Sequence, residues 1–203
     1  MNKATKILYN NSKNLNTFAR IKSIPSFPFL WFLTDLVRCP NPYALIKQLP
    51  KNTGVVLRDY DNPNRSVIAT KIAQICKKKH LIFLVGGDAR LAIQVGASGI
   101  HIPEYRDFKG PKFLKKNWII SSSVHNLASL KRIQSLNLDC IFISPVFYTN
   151  SHPNITPLGT LKIAKLVREL DTFSIALGGI NSDNAKLLCK TGINGIGAIS
   201  GFL

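Results

Sequence analysis

The side chains best suited to chemistry in this sequence stand directly after short apolar runs. His125 follows the run Trp118–Ser122, and an imidazole with a pKa of about 6.5 suits proton transfer at neutral pH. Arg58 follows the run Gly54–Leu57, and a guanidinium suits a phosphate ligand. Each side chain also has a structural explanation, because a histidine can cap a turn and an arginine can pair with a nearby carboxylate such as Asp59.

Two turns in the last third of the chain predict a binding site for an anion. Gly178-Gly179 follow the apolar run Phe173–Leu177, and Ser200 follows the run Gly195–Ile199. Glycine lets a backbone N–H group approach an anion closely, and the beginning of a helix adds its dipole. In an α/β barrel, a phosphate commonly binds backbone groups after the last two strands.

These residues lie between apolar runs that alternate with helical periods, a pattern typical of parallel βα units. If the units form a (β/α)8 barrel, the active site is expected at the carboxyl ends of the strands. The predicted strands are Phe29–Thr34, Gly54–Leu57, Leu81–Val85, Gly99–Ile102, Trp118–Ser122, Ile141–Ile143, Phe173–Leu177 and Gly195–Ile199. The predicted helices are Pro42–Leu49, Arg65–Lys78, Asp88–Val95, Phe108–Lys115, Asn126–Leu136, Leu158–Leu170 and Ser182–Lys190.

Residues 1–28 are predicted to form a basic extension in front of a barrel domain at 29–203. The extension contains basic residues and no acidic one. Two interpretations are open: a leader of the transit type, or a helix that packs on the barrel through apolar side chains such as Ile7 and Leu8. No helix is predicted after the eighth strand, and we expect the extension to cover the barrel surface left exposed there.

The composition favours one globular domain. The chain has 203 residues, of which 45% are hydrophobic, a content above that of disordered chains. No apolar run reaches the roughly 18 residues of a membrane helix, and the four cysteines include no close pair, so we expect a reduced, cytoplasmic protein. The net charge of +17 suggests nucleic-acid binding. The Lys77-Lys78-Lys79 run, however, stands at a predicted helix end, where cations suit the dipole, so nucleic acid is not an expected partner.

An ordered series of motifs gives the chain a resemblance to a known family. The series is Ser123-Val124-His125, Ser144-Pro145-Val146-Phe147, Leu158-Gly159, Leu177-Gly178-Gly179-Ile180 and Ile199-Ser200. Between Ile82 and Ser200 the chain resembles the thiamine phosphate synthase/TenI family. The resemblance implies a (β/α)8 barrel, a role in thiamine biosynthesis, and small phosphorylated thiazole and pyrimidine ligands.

The resemblance assigns the thiazole phosphate to the backbone at Gly179, Ile199 and Ser200. The hydroxyls of Thr149 and Ser151 would lie near that phosphate. These five positions match the thiazole half of the family's site.

The resemblance assigns the pyrimidine diphosphate to Ser123, and His152 replaces a lysine that binds the pyrophosphate. Arg58 matches an arginine of the family after the second strand and is a candidate phosphate ligand. In members of the TenI type, a histidine at the position of His125 acts as acid and base when the thiazole is tautomerised. Ser123 and His125 are therefore the candidate catalytic residues.

The family is expected to use Mg²⁺, but the chain does not keep the two aspartate ligands. They align with Gly87 and Arg106. Asp88 is better explained as a helix N-cap, and Asp107 would reach the second position only after a shift of one residue. We therefore predict no metal ligand, and Arg106 is a hypothetical source of positive charge in place of the metal.

Three functions are open at this point. The first is a divergent thiamine phosphate synthase that uses unusual ligands. The second is a TenI-type thiazole tautomerase that uses His125 and needs neither Mg²⁺ nor pyrophosphate contacts. The third is a non-catalytic protein that binds a phosphorylated ligand on a decayed barrel. An oligomer is compatible with all three.

Overall fold

The computed structural model describes residues 1–16, 27–104, 117–126, 129–130, 137–150 and 154–203. Eight parallel strands pair in chain order, and β8 pairs with β1 to close a barrel. The (β/α)8 fold is confirmed, and each predicted strand is present with ends that differ by no more than two residues. The strands are β1 (Leu30–Leu33), β2 (Gly54–Leu57), β3 (Ile82–Gly86), β4 (Gly99–Ile102), β5 (Ile119–Val124), β6 (Cys140–Ile143), β7 (Phe173–Ala176) and β8 (Gly195–Ala198).

Helices surround the barrel on its outer side. In the described ranges none of them is long and apolar enough to cross a membrane. The predicted helix Phe108–Lys115 lies outside the described residues, as does most of the predicted helix Asn126–Leu136. The helices are α1 (Lys3–Asn16), α2 (Pro42–Gln48), α3 (Arg65–Lys79), α4 (Ala89–Gln94) and α5 (Gly159–Arg168), with two short 3-10 helices, η1 (Ala185–Leu188) and η2 (Ser200–Phe202).

The prediction of an α-helix over Ser182–Lys190 is wrong, because only η1 forms there. Asn181 Oδ1 accepts the N–H groups of Asp183 and Asn184 at 2.9 and 3.1 Å. Asn184 Oδ1 in turn accepts the N–H group of Asn181 at 2.9 Å. These local side-chain bonds compete with the backbone bonds of an α-helix and leave a shorter, tighter segment.

Aromatic side chains fill the amino-terminal end of the barrel interior. Trp31 packs edge-on against Phe142 with ring centroids 5.4 Å apart, and Phe27 lies 4.6 Å from Phe173. A Cβ added at Gly54 would lie 2.0 Å from Trp31 Cε3, so glycine at the beginning of β2 makes room for the indole ring. The packing closes this end of the barrel, and the cavity described below opens at the other end.

The buried cysteines are core side chains. Burial raises the pKa of the Cys76 thiol to about 12. Burial, with a smaller contribution from the charge of Asp139, also raises the pKa of Cys140 well above its usual value. Both thiols are therefore protonated, and poor nucleophiles, at neutral pH.

Helix α1 packs on the outer surface of the barrel against β8, η2 and β1. Its Leu8 and Leu15 side chains are buried in the core. Asn2 caps the helix by accepting the Thr5 N–H group at 2.8 Å, and its Nδ2 donates to the carbonyl of Phe202 at 2.7 Å. The helix thus covers the outer face of the barrel where β8 meets β1.

We expect Leu8→Ala to lower the free energy of unfolding by roughly 2–5 kcal/mol, because removing a fully buried leucine leaves a cavity. Leu8 is inaccessible to solvent. Lys6→Ala is the matched control, because Lys6 is exposed on the same helix. Urea denaturation measures both variants. If Leu8→Ala is as stable as the control, α1 is not an integral part of the folded barrel.

Candidate active site

A cavity of about 630 Å³ opens at the carboxyl ends of the strands. Two of the nine predicted site residues, Ser151 and His152, lie outside the described residues. The closed barrel brings the other seven together, although they come from distant parts of the chain. The seven that line the cavity are Arg58, Ser123, His125, Thr149, Gly179, Ile199 and Ser200.

Two backbone turns, after β7 and β8, form one side of the cavity. Gly178 and Gly179 have φ angles of +91° and +68°, in the left-handed region that favours glycine. A Cβ added at Gly179 would lie 2.2 Å from the carbonyl oxygen of Tyr148. No described residue accepts a hydrogen bond from the N–H groups of Gly179, Ile180 or Ser200. Backbone N–H groups in such turns can bind an anion.

His125 is held by a carboxylate that the sequence analysis did not identify. Its Nδ1 is hydrogen-bonded to Oε2 of Glu104, and both side chains are partly buried. Both residues line the cavity. They meet because Glu104 stands two residues after β4, His125 stands directly after β5, and these two strands pair. The available signal was an acidic residue two positions after a predicted strand.

A carboxylate bonded to Nδ1 fixes the tautomer of an imidazole and stabilises its protonated form. The Glu104–His125 pair therefore has the arrangement of a general acid and base with an orienting partner.

Behind Ser123, a buried histidine joins two serines of β5. Nε2 of His101 lies 3.0 Å from Oγ of Ser123, and its Nδ1 lies 2.9 Å from Oγ of Ser121. Burial, and to a smaller extent the positive charge of Arg58, lowers the pKa of His101 to about 3. The imidazole is therefore neutral at neutral pH, and both of its nitrogens are engaged by hydroxyl groups.

The buried His101 predicts that the protein loses stability in mild acid. Its pKa is about 3 in the folded protein and about 6.5 in an unfolded chain. Between these values the unfolded chain binds a proton that the folded protein does not. The free energy of unfolding should therefore fall as the pH is lowered, by up to about 1.4 kcal/mol per pH unit from this group. Urea denaturation across pH 4–7 should show that the free energy of unfolding depends less on pH in His101→Gln than in the wild type. An equal pH dependence in the two proteins would contradict the low pKa of His101.

Arg58 supplies a positive charge on the β2 side of the cavity. The carboxylate of Asp59 is engaged elsewhere, because it accepts the hydroxyl of Thr34 and, at 2.9 Å, the N–H group of Leu36. The ion pairs found among the described residues do not join Arg58 to Asp59. Arg58 and Asp59 therefore do not neutralise each other, and the guanidinium charge is not cancelled by its neighbour.

The described residues do not supply the carboxylate ligands for the Mg²⁺ that the family resemblance implies. Gly87 offers no side chain and has a φ angle of +67°. Asp88 caps α4, as predicted, by accepting the N–H group of Leu91 at 2.9 Å. Arg106 and Asp107 lie outside the described residues. In the parts of the chain that the structure describes, no three His, Cys, Asp or Glu side chains are grouped to hold a metal ion.

Comparison with known proteins agrees with the fold and with the motifs. A family model described as thiamine monophosphate synthase matches residues 44–202. A relative from Aquifex aeolicus, provisionally named thiamine-phosphate synthase 2, is 32% identical over 184 residues, which cover 87% of this chain and 98% of that protein. The thiamine-phosphate synthase of Pyrococcus furiosus is 28% identical over 175 residues, 84% of each chain.

A solved structure shares the fold. The thiamine phosphate pyrophosphorylase from Pyrococcus furiosus superposes with a TM-score of 0.65 at 23% identity, over 92% of this chain and 87% of that one. The family model spans well over half of the chain. The chain therefore belongs to the thiamine monophosphate synthase family.

Proposed function

We propose that this protein binds a thiazole phosphate in the cavity and catalyses proton transfer on it, as a thiazole tautomerase of thiamine biosynthesis. The observation that carries the proposal is the Glu104–His125 pair, which lines the same cavity as the backbone turns after β7 and β8. The pair provides an acid and base, and the turns provide a site for the phosphate.

The backbone N–H groups of Gly179, Ile180 and Ser200 bind the phosphate. The two turns that carry them pack directly on each other, because a Cβ added at Gly201 would lie 2.3 Å from the carbonyl oxygen of Ile180. Preorganised amide groups bind an anion with little rearrangement. The thiazole ring then extends from this side of the cavity toward Thr149 and the ends of β4 and β5.

His125 transfers the proton. Nε2 of the imidazole removes a proton from one position of the thiazole and returns it at another, so the substrate is isomerised with no net gain or loss. Glu104 keeps Nδ1 protonated and balances the positive charge that His125 carries between the two steps. The reaction needs no second substrate.

A synthase reaction is the second candidate, and Arg58 is the observation that favours it. The guanidinium lies at the cavity and suits a second phosphorylated group, and the relatives named above are thiamine-phosphate synthases by name. A departing pyrophosphate, however, requires concentrated positive charge. The described carboxylates do not provide the ligands for Mg²⁺, so this candidate needs cations from another source.

Two parallel assays separate the candidates. The purified protein is incubated with a thiazole phosphate in D₂O containing a chelator, and proton NMR follows exchange at carbon-bound positions of the ring. In a second reaction the pyrimidine diphosphate and Mg²⁺ are added, and thiamine phosphate is quantified. Exchange in the first assay supports the tautomerase, and product that depends on both substrates in the second supports the synthase. Binding without either reaction would contradict both and leave a non-catalytic binding protein.

A further inference from the structure

His101 has no part in the proton transfer proposed above, yet its side chain is almost fully buried where it lines the cavity. Its exposed fraction is 2%, and its ring packs edge-on against Phe142 at 5.3 Å. A polar group in such a place must be hydrogen-bonded, because its burial otherwise costs several kcal/mol. Both partners of His101 lie on one strand, β5, and one of them, Ser123, reaches the cavity.

The geometry follows from the register of the barrel. His101 pairs with Ser121 across the β4–β5 ladder, so their side chains point to the same side of the sheet. Side chains alternate along a strand, so Ser123 points to that side as well, one step closer to the mouth of the barrel. The imidazole therefore bridges two serine hydroxyls at successive levels of the interior.

A neutral imidazole has one donor nitrogen and one acceptor nitrogen. In His101 one of these binds Ser121 and the other binds Ser123, at 2.9 and 3.0 Å. Arg58 adds a positive charge nearby that opposes protonation of the ring. The ring therefore presents a fixed partner to Ser123, and the hydroxyl of Ser123 cannot rotate freely.

We propose that His101 is a positioning residue that fixes the hydroxyl of Ser123 in the orientation that meets the ring of the bound ligand. The inference rests on the proposed function, because the ligand that Ser123 would contact is the thiazole phosphate proposed to bind in the cavity. His101 also lines the cavity, and we assign its effect to the hydrogen bond with Ser123 and not to a contact of its own with the substrate. Ser121 holds Nδ1 of the imidazole. Its hydroxyl also donates a weak hydrogen bond, at 3.4 Å, to the carbonyl of Ile100 on β4.

A double-mutant cycle tests this role with the active protein. We expect His101→Gln and Ser123→Ala each to lower kcat/KM about 10-fold, and the double variant to lose no more than the larger single loss, because interacting residues are not additive. Two independent losses would instead multiply to about 100-fold. Ser122→Ala is the matched control, because that neighbouring hydroxyl donates to the carbonyl of Ile102 at 3.0 Å; its kcat/KM should match the wild type.

A second measurement uses the ligand-free protein and does not depend on the reaction. The ¹⁵N resonance of His101 Nε2 should move in Ser123→Ala and stay in place in Ser122→Ala, and it should keep the values of a neutral ring down to pH 5. An Nε2 resonance that is insensitive to Ser123→Ala would overturn the inference, as would multiplying losses in the cycle. If the resonance responds as expected while the wild type neither exchanges nor joins substrates, the hydrogen bond stands and the proposed function fails.

Discussion

His125→Asn is expected to lower kcat/KM for thiazole tautomerisation by about 10²- to 10⁴-fold, the usual contribution of a general acid and base. Asparagine keeps a polar side chain of similar reach, but it cannot accept and return a proton at neutral pH. His125 is partly buried beside the Glu104 carboxylate. Because the amide of asparagine can still donate a hydrogen bond to that carboxylate, the loss should come from chemistry and not from a missing contact. NMR-detected exchange of ring protons measures the effect.

Glu104→Gln is the companion variant. It keeps an oxygen that can accept the Nδ1–H bond but removes the negative charge that stabilises the protonated imidazole. We expect a smaller loss than for His125→Asn, with unfolding by urea checked for both. Full activity in His125→Asn would contradict the proposed role of the pair. A loss explained by unfolding would be recognised from the denaturation curves.

Ser200→Asp is expected to weaken thiazole phosphate binding by at least about 100-fold, because a carboxylate beside a bound phosphate costs several kcal/mol. Ser200 is exposed and begins η2 at the edge of the cavity, so aspartate fits there without a clash. Ser200→Asn is the control, since it has nearly the same shape and no charge. Isothermal titration calorimetry measures both affinities.

A charge at Gly179 would be a less informative test of the same site. Its φ angle of +68° and the 2.2 Å approach of the Tyr148 carbonyl oxygen to an added Cβ mean that any side chain there disturbs the turn itself. Equal affinities of Ser200→Asp and Ser200→Asn would place the phosphate elsewhere in the cavity.

The barrel could be predicted from sequence because its strands are buried on both faces. Such strands appear as continuous apolar runs, as in Cys140–Ile143 and Phe173–Ala176, and glycines or prolines end many of them. The largest boundary error is at β5, which ends at Val124, two residues after the predicted end at Ser122. Ser123 belongs to the strand, and its hydroxyl lies 3.0 Å from Nε2 of His101 on β4.

The site could be predicted only where a local motif carries it. The Gly178-Gly179 turn and His125 are visible as short patterns after single strands. Glu104 and His101 are not, because each acquires its role from a partner on the next strand, more than 19 residues away. The pairing register of β4 and β5 is required to bring them together, and a single sequence does not reveal it.

The most direct test of the central claim is the thermal stability of the purified wild-type protein with and without thiazole phosphate, alongside Ser200→Asp and Ser200→Asn. Ligand at 100 times its dissociation constant should stabilise the folded protein by about 2.7 kcal/mol. The predicted result is a rise in Tm for the wild type and for Ser200→Asn, and none for Ser200→Asp. No rise in the wild type, or an equal rise in all three proteins, would contradict a phosphate site at the turns after β7 and β8.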